Sequence, residues 1–180
     1  MLFEQTKLKD AYVIQLEKIE DQRGFFARAW CEKEFAQHGL AAVVRQANVS
    51  FNIRKGTLRG MHYQIAPHGE AKTVRCTRGA IFDVIIDLRP DSATYQQWFG
   101  VELTADNYKM LYVPENFAHG FLTLEDRSEV TYQVSEFYTP GAERGIRWND
   151  PAFGIQWPGT VEVISEKDAN WPNYEEERLR

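Results

Sequence analysis

The sequence predicts an all-β protein, an antiparallel sandwich or a closed barrel. Turn-forming clusters recur about every ten residues along its 180 positions. The segments between them are short and rich in β-branched and aromatic residues. Helix signals are few. Short strands punctuated this regularly are the pattern of sheets that close on one another.

The first strand is read over Tyr12–Leu16, ahead of the Asp21–Gly24 turn. Cys31–His38 reads as a short helix, because Gly39 offers a left-handed C-cap. Val43–Phe51 and Thr57–Gln64 are strands split by Lys55-Gly56. Thr73–Thr77 follows the Pro67–Gly69 turn, and Arg78-Gly79 divides it from Ala80–Leu88. That last strand reads AIFDVIIDL. Phe82, Val84, Ile86 and Leu88 form one apolar face, while Ile81, Asp83, Ile85 and Asp87 form the other. The two carboxylates need water, a hydrogen bond or a cation, so their face is read as solvated or at a barrel mouth. Trp98–Leu103, Met110–Val113, His119–Leu124 and Glu129–Val134 complete the strands, separated by Asp106-Asn107, Pro114–Asn116 and Glu125–Ser128. Tyr174–Arg180 is charged and reads as helical or frayed. With no repeat, linker or low-complexity tract, residues 1–180 are read as one domain.

Hydrophobic residues make up 43% of the chain, which excludes disorder for most of it. A net charge of −5 argues against nucleic acid as a partner. No apolar run approaches the roughly 18 residues of a membrane helix. The start, MLFEQTKLKD, lacks the layout of a secretory signal. Cys31 and Cys76 form no zinc or redox pattern; a cytoplasmic location with reduced thiols is expected, and Cys76 is read as a small core residue.

Polar side chains concentrate in four places: Asp21–Phe26, Gln46–Gln64, Tyr112–Phe121 and Ser165–Asp168. His62 reads either as a core histidine or as a group lining a cavity. Arg59 on the same strand favours the cavity. Strict alternation would put the two on opposite faces; they share one only if Gly60 breaks the pleat, where a bulge is cheap. Lys72 reads as a solvated strand-end charge or, in a pocket, as a stabiliser of a developing oxyanion. His119, in a turn after Pro114, reads as a turn cap or a ligand contact. Tyr132 reads as core packing or as a phenolic proton donor. Asp168 reads as a helix N-terminal carboxylate, a surface charge or a site residue.

Seven pieces in order carry a resemblance. They are D-x-R-G-F-F at Asp21–Phe26, Q-x-N-x-S at Gln46–Ser50, G-x-L-R-G-x-H-Y-Q at Gly56–Gln64 and F-D-V at Phe82–Val84, followed by P-x-x-F-A-H-G-F at Pro114–Phe121, W-N-D-P at Trp148–Pro151 and S-E-K-D at Ser165–Asp168. Together the chain resembles the dTDP-4-dehydrorhamnose 3,5-epimerase family. The resemblance implies a cupin-type jelly-roll β-barrel with a few short helices. It implies no metal and no cofactor, and a homodimer that exchanges N-terminal strands. The substrate would be a nucleotide diphosphate carrying a 4-keto-6-deoxyhexose, with a place in rhamnose and lipopolysaccharide O-antigen biosynthesis. The ketone acidifies the hydrogens on C3 and C5, so an enolate can form without a cofactor.

The same resemblance implies site roles. His62 would be the general base, Asp168 its orienting carboxylate, Tyr132 the acid on the other face and Lys72 the donor to the enolate oxygen. Arg23, Arg59 and His119 would meet the diphosphate or sugar oxygens, an arginine fork being suited to phosphate. Phe26, Gln46, Asn48, Tyr138, Glu143 and Lys167 match further substrate-binding positions.

Two departures stand out. Lys72-Thr73-Val74 replaces the usual K-L-V. More important, R-G-F-F-x-E becomes Arg23-Gly24-Phe25-Phe26-Ala27-Arg28, so a base-reading acceptor becomes a donor. Thymine N3 is a donor and cytosine N3 an acceptor, so Arg28 suits a CDP-sugar better; otherwise it points to solvent. The alternatives are therefore a 3- or 5-epimerase acting on one carbon of a CDP-linked 4-keto sugar, a metal-dependent cupin enzyme, or a nucleotide-sugar binder without turnover. Metal-binding cupins carry H-x-H on one strand face, and here the second position is Gln64.

Overall fold

The structure, a computed structural model, describes residues 1–175. Its elements in chain order are β1 (Leu2–Gln5), β2 (Tyr12–Gln15), β3 (Ile19–Asp21), β4 (Gly24–Phe26), α1 (Glu32–Gln37), β5 (Gln46–Asn52), β6 (Thr57–Gln64), β7 (Lys72–Arg78) and β8 (Ala80–Asp87). Then follow β9 (Trp98–Thr104), β10 (Met110–Val113), β11 (Phe117–Thr123), β12 (Ser128–Val134), β13 (Glu143–Gly145), β14 (Val163–Ile164) and α2 (Glu166–Ala169). One sheet runs β1-β2-β10-β7-β12-β5 and the other β13-β6-β11-β8-β9, with β14 added parallel to β6. β3 and β4 form a separate hairpin.

The two large sheets face each other across one core. Val74, Cys76, Leu111, Val113 and Val130 come from the first, and Ile81, Ile85, Leu103, Phe117 and Phe121 from the second. The outer face of the first sheet is covered by α1, whose Phe35 packs on Ile14, Met110 and Tyr112. The outer face of the second is covered by the C-terminal segment, with Ile146, Phe153 and Tyr174 packed on Met61, Val84 and Ile86.

The expected helix is present, with Cys31 as N-cap, His38 as C-cap and Gly39 at φ +70°. Tyr174 is anchored rather than frayed: it is buried and its N–H donates to Asp150 Oδ2 at 2.6 Å. Residues 176–180 of that segment lie outside the described residues. β1, the β3–β4 hairpin, β13 and β14 were not legible as strands, because they are only 2–4 residues long.

The reading of Asp83 and Asp87 as a solvated face is corrected. Both are fully buried, Asp87 in a set of hydrogen bonds and Asp83 through one oxygen against His119. Asp87 accepts from Arg89 Nε at 2.9 Å, Ser92 Oγ at 2.6 Å and Thr94 Oγ1 at 2.7 Å. Burial pushes this carboxyl up, and those donors outweigh it and hold it below the ordinary range. Asp83 pairs with His119 at 2.7 Å.

Cys76 is in the core, as expected, and burial pushes its thiol up to about 11. The thiolate is the reactive form. Native protein at pH 8 should therefore leave Cys76 unalkylated while unfolded protein labels both cysteines. Peptide mass spectrometry checks this; native labelling of Cys76 at the unfolded rate would contradict its placement.

Candidate active site

The cavity lies at one end of the barrel between the two sheets. A space of about 450 Å³ is lined by residues that include Arg59, His62, Lys72, His119, Tyr132, Tyr138, Glu143 and Asp168. A second space of about 360 Å³ adjoins it, sharing His62, Lys72, Tyr132, Tyr138 and Glu143 and adding Gln46, Asn48 and Glu70. Such volumes suit a small-molecule ligand.

Gly60 makes this convergence possible. Opposite β11, Phe121 faces Arg59 and His119 faces His62, so three steps on β6 meet two on β11. The extra residue turns Arg59 and His62 to the same cavity, as the sequence required. Gly60 sits at φ +125°, and a Cβ there would lie 2.5 Å from Gly120 Cα and 2.8 Å from His119 O. Only glycine fits both the conformation and the space.

His62 Nε2 lies 2.6 Å from Asp168 Oδ1. Asp168 Oδ2 accepts from the Gly60 N–H at 3.2 Å, and the Asp168 N–H donates to Ser165 Oγ, the N-cap of α2. Burial pushes the Asp168 carboxyl up, but the bond to His62, its charge and the Gly60 N–H together hold it below the usual carboxylate range. Asp168 thus acts as an ionised acceptor fixed from two sides, and among the described residues it leaves His62 Nδ1 for the cavity. Trp171 meets the imidazole edge-on, with ring centroids 6.2 Å apart.

Tyr132 on β12 is half-buried. Burial pushes its phenol up, Glu70 adds to this and Arg59 opposes it. Lys72 is 8% exposed, not the solvated charge its strand-end position also allowed, and its Nζ lies 2.9 Å from Glu70 Oε1. Arg59 Nε donates to Asn52 Oδ1 at 2.7 Å, which leaves the terminal nitrogens of its fork for another partner. His119 is in strand β11 rather than in a turn, and its partner is the buried Asp83. Gln46 Oε1 accepts from the Tyr138 N–H at 2.6 Å, and Glu143 is paired with Lys167.

Arg23, Phe26 and Arg28 are not brought to this cavity within the single chain. Arg23 is paired with Asp21 on the exposed hairpin, Phe26 is 72% exposed, and Arg28 Nη1 donates to Glu34 at 2.9 Å.

Sequence reasoning missed Glu70, which lies in a loop where no periodicity marks it. It also missed what Gln64 does. That amide is 3% exposed; its Nε2 donates to His68 O and Phe137 O and lies 3.4 Å from Glu70 Oε2, and its Oε1 accepts from the Thr139 N–H. It ties the 65–70 and 136–139 loops together across the cavity rim. Among the described residues, no group of three or more His, Cys, Asp or Glu is placed to hold a metal ion.

Comparison with known proteins shows the family and the fold. The family model described as dTDP-4-dehydrorhamnose 3,5-epimerase matches residues 5–176. The dTDP-4-dehydrorhamnose 3,5-epimerase of Sinorhizobium fredii is 41% identical over 174 residues, covering 96% of this chain and 89% of its own length. The crystal structure of dTDP-4-dehydrorhamnose 3,5-epimerase from Elizabethkingia anophelis superposes with a TM-score of 0.95 at 37% identity, over 98% of each chain. A 3'-monoepimerase from Streptomyces bikiniensis, in complex with dTDP-quinovose, superposes at 0.89 with 32% identity, over 98% of this chain and 90% of its own. The barrel is the cupin-type jelly roll that the resemblance implied. A match spanning nearly the whole chain, joined to a relative above 40% identity, establishes that the chain belongs to the dTDP-4-dehydrorhamnose 3,5-epimerase family.

Proposed function

We propose that this protein, an isomerase acting on a sugar, inverts C3 and C5 of a dTDP-linked 4-keto-6-deoxyhexose. The observation that carries the reading is the 2.6 Å His62–Asp168 pair opening on the same cavity as Tyr132 and Lys72. Neutral His62 takes the proton from C5 or C3 through Nδ1. The electron pair of that C–H bond moves to the C4 oxygen, and Lys72 stabilises the enolate. The Tyr132 O–H then donates its proton to the same carbon from the opposite face, and the carbonyl re-forms. Imidazolium and phenolate return to their starting forms by exchange with solvent, so protons balance over each inversion. The carbonyl is the electron sink, and no cofactor takes part.

The nucleotide diphosphate is met by Arg59 and His119, with Gln46, Asn48, Tyr138, Glu143 and Lys167 lining its path. Arg23, Phe26 and Arg28 come from a second copy. The β3–β4 hairpin, which carries Arg23 and Phe26 and leads into Arg28, exposes Ile19 and Phe26, and edge strand β5 exposes Val49, which supports a homodimer with exchanged N-terminal strands. No helix among the described residues is long and apolar enough to cross a membrane. The proposed setting is one catalytic domain in the cytoplasm, supplying rhamnose for a lipopolysaccharide O-antigen.

The test is product NMR in heavy water with dTDP- and CDP-linked 4-keto-6-deoxyhexoses. Deuterium at both C3 and C5 of the dTDP compound is expected. Label at one carbon only would favour single-carbon epimerisation, the activity named for the Streptomyces bikiniensis neighbour. Preference for the CDP compound would move the base assignment to Arg28, and no label at all would refute turnover. In the same assay Tyr132→Phe should lower product formation by about 10²-fold, with proton removal less affected. Equal losses in both would take the acid role from Tyr132.

A further inference from the structure

We infer that Glu70 is a positioning residue of the reaction, aiming the Lys72 ammonium at the enolate oxygen. This rests on the proposed enolate mechanism and adds a residue to it.

The geometry carries the inference. Lysine has a flexible four-carbon stem and no preferred fork, so a catalytic ammonium needs an external anchor. Glu70 supplies one: Oε1 lies 2.9 Å from Lys72 Nζ, and the two side chains are 13% and 10% exposed. Its other oxygen, Oε2, is 3.4 Å from Gln64 Nε2, the amide that joins the two rim loops. The carboxylate is therefore held on the catalytic cation, and its second oxygen is in a longer, shared contact with the frame.

Other charges around Tyr132 are already engaged. From β13 and α2, Glu143 is paired with Lys167, and Asp168 with His62. From β11, His119 is paired with Asp83. Arg59 on β6 is bound through Nε to the neutral Asn52 and favours the phenolate, while the Tyr63 and Tyr138 phenols also border the cavity. Glu70 is the carboxylate that raises the Tyr132 phenol, next after burial itself. An acid that stays protonated until a carbanion takes its proton is what the second half of each inversion requires. A carboxylate beside Lys72 also lowers the net positive charge at the enolate. Its position 2.9 Å from Lys72 Nζ therefore points to placement of the ammonium rather than to added charge.

The test uses the full-length protein. Glu70→Gln should lower kcat about tenfold at neutral pH, leave KM within about twofold, and move the alkaline limb of the kcat profile to lower pH. Glu70→Asp keeps the charge and should keep the limb near its wild-type position. Should the glutamine form fail to fold, Glu70→Ser provides the same neutral readout. An unshifted limb in the neutral variant, with wild-type kcat, would overturn the inference while wild-type deuterium exchange still upheld the mechanism. Absent exchange in the wild type would instead overturn the mechanism itself.

Discussion

Replacing His62 with alanine is expected to abolish deuterium entry at both C3 and C5. General-base catalysis contributes about 10²- to 10⁴-fold, and among the described residues the other imidazole lining this cavity, His119, is committed to Asp83. The loss should appear in kcat, because alanine removes a group that acts on the reacting carbon and leaves Arg59 and its Asn52 support in place. The variant should also unfold more easily. Asp168 is held ionised partly by His62 and would lose that partner while keeping the Gly60 N–H. Leaving a buried carboxylate short of a partner costs about 1–3 kcal/mol. NMR exchange and a urea melt separate the two effects. Full exchange in His62→Ala would remove His62 from the base role.

Gly60→Ala should be the most damaging small substitution in the barrel. The added methyl would meet Gly120 Cα at 2.5 Å and His119 O at 2.8 Å, both main-chain atoms that cannot rotate away. Overpacking of this kind costs about 1–3 kcal/mol, and forcing an alanine to φ +125° adds about 1–3 kcal/mol. The expected loss is about 4 kcal/mol, seen as a fall in the urea midpoint. Relief by flattening the bulge would return Arg59 and His62 to opposite faces and move the Gly60 N–H off Asp168. Activity should therefore fall even where the variant stays folded. A stable and active Gly60→Ala would mean that the bulge does not set the site.

Most of the fold was legible because sheet periodicity and turn chemistry are local. Every strand read from the sequence is present within a few residues of its expected bounds. The Gly60 irregularity was legible as a requirement, since two polar side chains three apart cannot share a face of a regular strand. The partners that complete the site were not. Asp83 was seen as a carboxylate in need of a donor, but the donor is 36 residues away on β11. Glu70 sits outside any strand and gains meaning only from Lys72 beside it in space. Arg23 and Phe26 were legible as motif members and Arg28 as a departure from the motif, yet a single chain leaves them on an exposed hairpin and its exit.

Gln64 has a consequence for engineering. Grafting a transition-metal centre into this scaffold would begin by placing an imidazole there, beside His62. An imidazole has two nitrogens, against the four contacts this amide satisfies with His68, Glu70, Phe137 and Thr139. The exchange would unfasten the walls around the new centre before any ion arrived, so a metalloenzyme redesign must first re-anchor those walls by other means.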